Sequence, residues 1–381
     1  MKIAILGYGV VGSGAYEVLT KYGYDVKRVL DIRPHSELGE RLTSNYDDIL
    51  NDDEIGIVAE AIGGLEPAHT FVVKALKAGK SVVSSNKHLI CTYYEELHAL
   101  AVENGVSLRF TSSVGGGIPW LYNLRRSVRC DEVSKIMGIM NGTTNFILDA
   151  MITDSREFDD VLKEAQALGY AEANPSADID GLDTGRKTAI SSSIAFNTII
   201  KEENVSIFSM RTIQKCDIDY ITKKLGKTVR YLGFGIKNKN SVSAFVEPTI
   251  LPYCAPESNV CKNFNMITLF GESVGRLSFF GQGAGKYPTG NALAQDVIDI
   301  LECPMPVRFT PSCDTVDNST VKRAYYIRTK AHIEGDIVAV SEKINGNNHI
   351  ITKPMSVEKM HTLSAAILVS DSSSFFAGIE E

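Results

Sequence analysis

Two patterns of apolar spacing divide this chain. From residue 2 to about 111, short β-rich apolar runs fall at Lys2–Leu6, Lys27–Asp31, Ile57–Ala61, Ser81–Ser84 and Ser107–Thr111. Helical periodicity fills the intervals, most clearly over Ala68–Ala78 and Thr92–Asn104. Short strands apolar on both faces, joined by helices, predict a doubly wound parallel sheet and an α/β fold.

After Pro119 the pattern changes. Strand signals at Val133–Met140, Thr228–Lys237, Val242–Leu251, Met266–Phe270 and Arg276–Phe280 look antiparallel. Helical stretches at Thr144–Thr153, Glu157–Leu168 and Ile179–Ile199 interrupt them. This predicts an α+β domain with one open sheet, a common dimerisation surface. A helix from Gly290 to Leu301 follows a Gly-rich loop and is expected to return to the first domain. The tail carries a strand signal at Arg323–Thr329, a Gly-Asn-Asn turn and a polar, Ser-rich end.

Length and charge narrow the possibilities. The 381 residues are too many for one ordinary core, so two domains or slightly more are expected. With 44% apolar and 22% charged residues, the composition is that of a soluble globular protein. A net charge of −7 argues against nucleic acid as a partner. No run approaches the ~18 apolar residues of a membrane span, and three early glycines break any signal-peptide core. The seven cysteines (91, 130, 216, 254, 261, 303, 313) form no CxxC pair, and the histidines show no metal-ligand spacing. Reduced thiols in a cytoplasmic protein are the expected state.

The chemistry begins at Gly7-Tyr8-Gly9-Val10-Val11-Gly12, directly after the first strand and opening a helix. Gly7 permits the tight turn, Gly9 lets the backbone approach a pyrophosphate, and Gly12 allows close helix–strand packing. A lone GxGxxG is weak, but this one has the strand–turn–helix context of a Rossmann-type dinucleotide site. Asp31 ends the second strand, where an acid would bind the ribose 2′-hydroxyl of NAD. Arg33 could instead face the 2′-phosphate of NADP, so the preference only leans to NAD. Gly63 and Gly64 end the third strand; Ser84 and Lys87 end the fourth. Ligands bind outside the carboxyl ends of such strands, which aims Lys87 at the nicotinamide and substrate side. Gly281–Thr289, with Gly285, is a second Gly-rich loop suited to lying against a flat cofactor.

The segment AQALGYAEANPSADIDGLDTGRK (165–187) gathers Glu172, Asp178, Asp180 and Asp183 around a Gly169-Tyr170 turn and an Asn-Pro break. A helix starting near Ile179 would put Asp183 and Lys187 on one face. Taken alone, the simpler reading is a surface helix with an i,i+4 ion pair worth only ~0.3–0.5 kcal/mol. An ammonium flanked by carboxylates could equally hold a small zwitterion and move a proton.

The motifs together resemble homoserine dehydrogenase. The long family signature is met by Ala165, Gly169, Tyr170, Ala171, Asn174-Pro175, Asp178, Ile179, Gly181, Asp183 and Lys187. Blocks Asn141–Leu148, Gly115–Pro119, Ser84–His88 and Gly281–Thr289 follow in family order, and the likeness covers residues 1 to about 318. It implies NAD(P)-dependent interconversion of L-homoserine and L-aspartate 4-semialdehyde in threonine and methionine biosynthesis. It also implies Lys187 as acid/base, Asp183 and Lys87 as substrate-contacting partners, and Glu172 and Asp178 beside them, with Gly169 and Tyr170 on the substrate side. Gly7, Gly9, Val10, Val11, Gly12, Asp31, Arg33, Gly63, Gly64, Ser84, Lys87 and Gly285 are the expected cofactor contacts.

Two departures stand out. Family members often carry a Glu that helps hold a monovalent cation where this chain has Thr111. The carbonyls of Val114, Gly116 and Ile118 could still coordinate Na⁺ or K⁺, with weaker binding or none expected. The residues after Asn318 are short for a regulatory ACT domain, so inhibition by threonine is not expected. The predicted organisation is an NAD(P)-binding domain at 1–118 with 289–318 packing back onto it, a substrate-binding and dimerisation domain at 119–288, and a C-terminal tail at 319–381. The partners expected are a small-molecule substrate and further copies of the chain, as a homodimer or a homotetramer. Two rival functions are a dehydrogenase of another amino-acid-like alcohol and a catalytically silent nucleotide-binding regulator.

Overall fold

A six-stranded, all-parallel sheet organises the N-terminal residues in a computed structural model that describes residues 1–305, 309, 311–312, 314–333 and 335–380. Its spatial order is Leu42–Thr43, Val26–Leu30, Lys2–Leu6, Ile55–Glu60, Ser81–Ser84 and Leu108–Arg109. The chain starts in the middle and winds outward both ways, so the loops after Lys2–Leu6 and Ile55–Glu60 diverge at a switch point where a ligand crevice opens. Ile3, Ile5, Val29, Ile57 and Ala59 form the core with Leu293 and Val297 of the helix Lys286–Glu302. That helix crosses the helix Val10–Lys21 through two glycines. A Cβ on Gly14 would lie 2.2 Å from the Lys286 carbonyl oxygen, and one on Gly290 would lie 2.7 Å from the Ala15 nitrogen.

The compact unit built on this sheet comprises Met1–Arg129, Asn197–Lys201 and Gly281–Ser312. The helix Trp120–Ser127 belongs to it, burying Trp120, Leu121 and Leu124. The helix predicted from Thr92 begins five residues earlier, at Lys87, because the Asn86 side chain caps it by accepting the Leu89 N–H at 3.1 Å. The strand predicted over Ser107–Thr111 is only Leu108–Arg109, since Thr111–Ser113 turns into a 3-10 helix.

The second unit, Cys130–Phe196, Glu202–Phe280 and Cys313–Glu381, is built on a mixed, largely antiparallel sheet. The spatial order is Gly275–Gln282, Phe264–Gly271, Val133–Ile139, Thr228–Lys237, Ser241–Leu251, Phe375–Ile379, Tyr325–Thr329, Asn347–Thr352 and Val338–Ile344. Met137, Leu232, Phe234, Phe245 and Leu251 form its core. The helix predicted over Ile179–Ile199 is broken: a short turn Ser176–Ile179 is followed by Leu182–Phe196. Gly181 makes the break at φ +86°, and a Cβ there would lie 2.1 Å from the Tyr231 hydroxyl.

The tail is more structured than its single predicted strand. Its strands continue the central sheet: Phe375–Ile379 pairs in parallel with Ser241–Leu251, and Tyr325–Thr329 pairs with Phe375–Ile379. Val338–Ile344 and Asn347–Thr352 form a hairpin closed by Asn345-Gly346, both at positive φ. The helix Val357–Ser370 seats Val357 in the central core. Arg328 and Asp217, both fully buried, pair at 2.8 Å. Cys313 lies outside the described residues; the other six cysteines are free thiols.

Candidate functional site

In the first unit the turn Gly7–Gly12 has the shape a dinucleotide requires. Gly7 sits at φ +90°, and a Cβ on Gly12 would lie 1.9 Å from the Gly7 carbonyl oxygen, so both positions are closed to side chains. Gly9 faces open space and caps the helix Val10–Lys21 without a side-chain acceptor. Its first-turn N–H groups thus suit an anion. Val10 is exposed and Val11 half-buried. Gly285, at φ +127°, starts the helix Lys286–Glu302 in the same way, with no side-chain cap. These features fit a bound pyrophosphate.

Asp31 stands at the end of the second strand with both oxygens engaged. The Tyr8 N–H donates to it at 2.7 Å, the Arg33 N–H at 2.9 Å, and the Arg33 guanidinium binds it through two nitrogens at 3.0 and 2.9 Å. The Arg33 side-chain bonds hold its carboxyl far below the usual carboxylate range. Asp31 is therefore an ionised acceptor, with an exposed cation beside it.

The third and fourth strand ends are tied together by a residue the sequence reading passed over. Glu60 is fully buried; Ser84 donates to it at 2.5 Å, and the N–H groups of Ile62 and Gly63 at 2.9 and 3.3 Å. Gly63 and Gly64 lie at positive φ with open space where a side chain would be. Lys87 is the first helical residue after the Asn86 cap, rather than a loop lysine.

The loop Val114–Ile118 is held within its own unit by hydrogen bonds and close backbone packing. The Ile118 carbonyl accepts the Trp120 N–H at 2.7 Å, and the buried Asp296 carboxylate is committed to the Thr111 N–H at 2.7 Å. Gly116 packs on backbone, where a Cβ would meet the Gly283 carbonyl at 2.5 Å.

In the second unit the carboxylates of 165–187 separate into distinct roles. The Lys187 ammonium donates to Asp183 Oδ2 and to the Met140 carbonyl, both at 2.7 Å. Asp183 and Lys187 are 6% and 7% exposed, so the surface-helix reading is wrong. Asn141 completes the cluster: its Nδ2 donates to Asp178 at 2.7 Å and to Asp183 at 2.8 Å. Its Oδ1 meanwhile caps the helix Gly142–Thr153 through the Thr144 N–H. Asp180 turns away to a two-bonded pair with Arg211 at 2.8 and 2.7 Å. Gly169, at φ +74°, ends the preceding helix, with the Tyr170 N–H returning to the Ala165 carbonyl at 2.8 Å. The Tyr170 carbonyl accepts the Thr143 hydroxyl at 2.5 Å. Glu172 is exposed and takes no part in the cluster's hydrogen bonds.

Such a parallel sheet with its glycine turn is an architecture used by nicotinamide-nucleotide-dependent oxidoreductases. Residues 7–111 match the family model for the homoserine dehydrogenase NAD-binding domain, and residues 119–298 match that for homoserine dehydrogenase. The homoserine dehydrogenase of Bacillus subtilis is 37% identical over 317 residues, 79% of this chain and 73% of that relative. The crystal structure of a homoserine dehydrogenase from Thiobacillus denitrificans is 31% identical, with a TM-score of 0.89, covering 100% of this chain and 98% of that one. A hyperthermophilic archaeal homoserine dehydrogenase mutant in complex with NADPH is 25% identical with a TM-score of 0.69, over 80% of this chain and 98% of that one. This chain belongs to the homoserine dehydrogenase family. Among the described residues, no helix is long and apolar enough to cross a membrane.

Proposed function

We propose that Lys187 is the proton carrier in the interconversion of L-homoserine and L-aspartate 4-semialdehyde by this chain. The observation that carries this reading is the buried Lys187 ammonium held between Asp183 Oδ2 and the Met140 carbonyl. A bound nicotinamide nucleotide supplies hydride transfer to or from the substrate carbon bearing oxygen. In the oxidising direction Lys187, as the neutral amine, takes the hydroxyl proton; in the reducing direction its ammonium gives a proton to the aldehyde oxygen. Asp183 fixes the side chain, and burial removes the competing water. Asp178 and Glu172 suit the substrate ammonium, and Lys87 suits a substrate oxygen or carboxylate. No step is assigned to a monovalent cation.

Asp31 supports a lean toward NAD, since an ionised acceptor suits the ribose 2′-hydroxyl and repels a 2′-phosphate. The apolar side chains Leu277 and Phe280, exposed on the edge strand Gly275–Gln282, support a homodimer. The free thiols support a cytoplasmic location. Purified protein assayed for homoserine-dependent reduction of NAD and NADP tests the reaction. Nucleotide binding without turnover with either cofactor would defeat it.

A further inference from the structure

Glu60 is a buried carboxyl whose role the reaction leaves unexplained. It ends the strand Ile55–Glu60 with no exposed surface, and its side-chain hydrogen-bond partners among the described residues are all neutral. Oε1 accepts the Ile62 and Gly63 N–H groups at 2.9 and 3.3 Å and the Asn86 Nδ2 at 3.5 Å. Oε2 accepts the Ser84 hydroxyl at 2.5 Å. Ser84 Oγ in turn accepts the Asn86 N–H at 3.0 Å, and Asn86 Nδ2 reaches the Gly64 carbonyl at 2.6 Å. Burial raises the Glu60 pKa against the pull of these donors. A buried acid without a cation is costly, and an apolar residue would fill a strand end at less expense.

The arrangement has one directional consequence. The loop N–H groups of residues 62 and 63 are spent inward on Glu60, which turns the side-chain-free faces of Gly63 and Gly64 outward. The same carboxylate, through Ser84 and Asn86, fixes the N-cap from which the helix Lys87–Glu103 starts, and so the register of Lys87. We propose that Glu60 is a positioning residue: it sets the Ile62–Gly64 loop and the Asn86–Lys87 helix start against each other, at the rim that receives the nicotinamide end of the cofactor. This rests on the reading of Lys87 as a substrate-contacting lysine.

Gln keeps the shape. Its Oε1 can accept both loop N–H groups, while its Nε2 donates to a Ser84 hydroxyl turned to receive it. Asp is one methylene shorter and cannot reach both loops. The experiment compares Glu60→Gln, Glu60→Asp and Glu60→Ala by thermal melting, nucleotide affinity, and separate KM and kcat for homoserine and nucleotide. Glu60→Gln is expected to stay within about threefold of wild type in kcat. Folded Glu60→Asp is expected to lose about tenfold or more in kcat, as is Glu60→Ala, because the reacting groups are misplaced. Nucleotide affinity should change less than kcat. If Glu60→Ala does not fold, the Gln and Asp variants decide alone. Wild-type kcat and KM in folded Glu60→Asp would overturn the proposal. So would a folded Glu60→Gln as impaired as Glu60→Asp. A Lys87→Ala enzyme run alongside separates the two readings: full activity there defeats the Lys87 assignment, whatever the Glu60 variants do.

Discussion

The side-chain amide of Asn141 donates to Asp183 Oδ2 at 2.8 Å, the same oxygen that accepts the Lys187 ammonium at 2.7 Å. One side chain therefore orients the acid that orients the lysine, while its own oxygen caps a helix. Asn141→Ala should remove both functions. Loss of the cap costs about 1 kcal/mol, and loss of a bond to a charged group about 1.5–3 kcal/mol. We expect a lowered melting temperature and a fall in kcat of roughly ten- to a hundredfold. Asn141→Asp keeps the cap but puts a third carboxylate beside Asp178 and Asp183. It should therefore fold yet turn over no faster than the Ala variant. Steady-state kinetics and melting curves of both variants check this.

Replacing Lys187 separates chemistry from nucleotide binding. Lys187→Ala should lower turnover by about 10²–10⁴-fold, the usual contribution of a positioned acid or base. Nucleotide affinity should stay nearly unchanged, because the glycine turn lies on another unit. Removing one partner of a buried pair also destabilises by ~3–5 kcal/mol. Asp183→Asn/Lys187→Met, which removes both charges, should recover most of that stability without recovering activity. A large loss of nucleotide affinity in either variant would show that Lys187 is misassigned.

Asp31 and Arg33 are expected to set cofactor choice in opposite directions. Arg33→Ala frees the carboxylate and should raise the NAD-over-NADP ratio in kcat/KM. Asp31→Ser leaves Arg33 to meet a 2′-phosphate and should lower that ratio. A charged hydrogen bond gained or lost is worth roughly tenfold or more in either case. Kinetics with both nucleotides measure it, and an unchanged ratio in Asp31→Ser would remove Asp31 from the ribose.

These residues show what the chain declares in one dimension. Five of the six parallel strands were legible as short apolar runs, whereas Leu42–Thr43, two half-buried residues at the sheet edge, was not. The Asp183–Lys187 pair was legible from its four-residue spacing. Asn141 was seen only as the first residue of a family block, since its bonds to Asp178 and Asp183 cross 37 and 42 positions. Glu60 was hidden inside a predicted strand, where nothing local marks an acid as a hub for two loops. In the tail the Gly-Asn-Asn turn was read, but the two strands it joins were missed, although Asn345-Gly346 is a strong hairpin signal. Its flanking strand Val338–Ile344 is mostly solvent-facing and lacks a clean apolar alternation.

Asp296 gives the fold a predictable pH dependence. Burial pushes its carboxyl up to about 6 from 3.8, although Thr111 and Arg109 act the other way. A folded-state pKa above the unfolded value means the associated stability is fully present below pH 3.8 and is lost as pH rises through about 6. The shift corresponds to an upper bound of ~3 kcal/mol. Asp296→Asn keeps an acceptor for the Thr111 N–H and carries no charge. It should equal or exceed wild-type stability at pH 8, and the difference should shrink toward pH 4. Urea unfolding of both proteins at pH 4, 6 and 8 tests this; a wild type that gains on the variant with rising pH would refute it.

Gly233 ties the geometry of the proton carrier to the packing of the sheet. A Cβ there would lie 2.0 Å from Thr188 Oγ1, and one on Gly235 would lie 2.2 Å from Ser192 Oγ. The helix Leu182–Phe196 can lie this close to the strand Thr228–Lys237 only because both positions lack side chains. Gly233→Ala must push the helix outward at Thr188, the residue next to Lys187. Overpacking of this kind costs about 1–3 kcal/mol. A displacement of ~1 Å at a reacting group can cost a hundredfold in rate. We therefore expect Gly233→Ala to reduce kcat more than a stability loss alone would, with nucleotide affinity intact. Thr188→Ala removes the obstructing hydroxyl, so Gly233→Ala/Thr188→Ala should recover both stability and turnover, well beyond the sum of the single effects. Additive losses in the double variant would show that the close approach at Gly233 does not govern the position of Lys187.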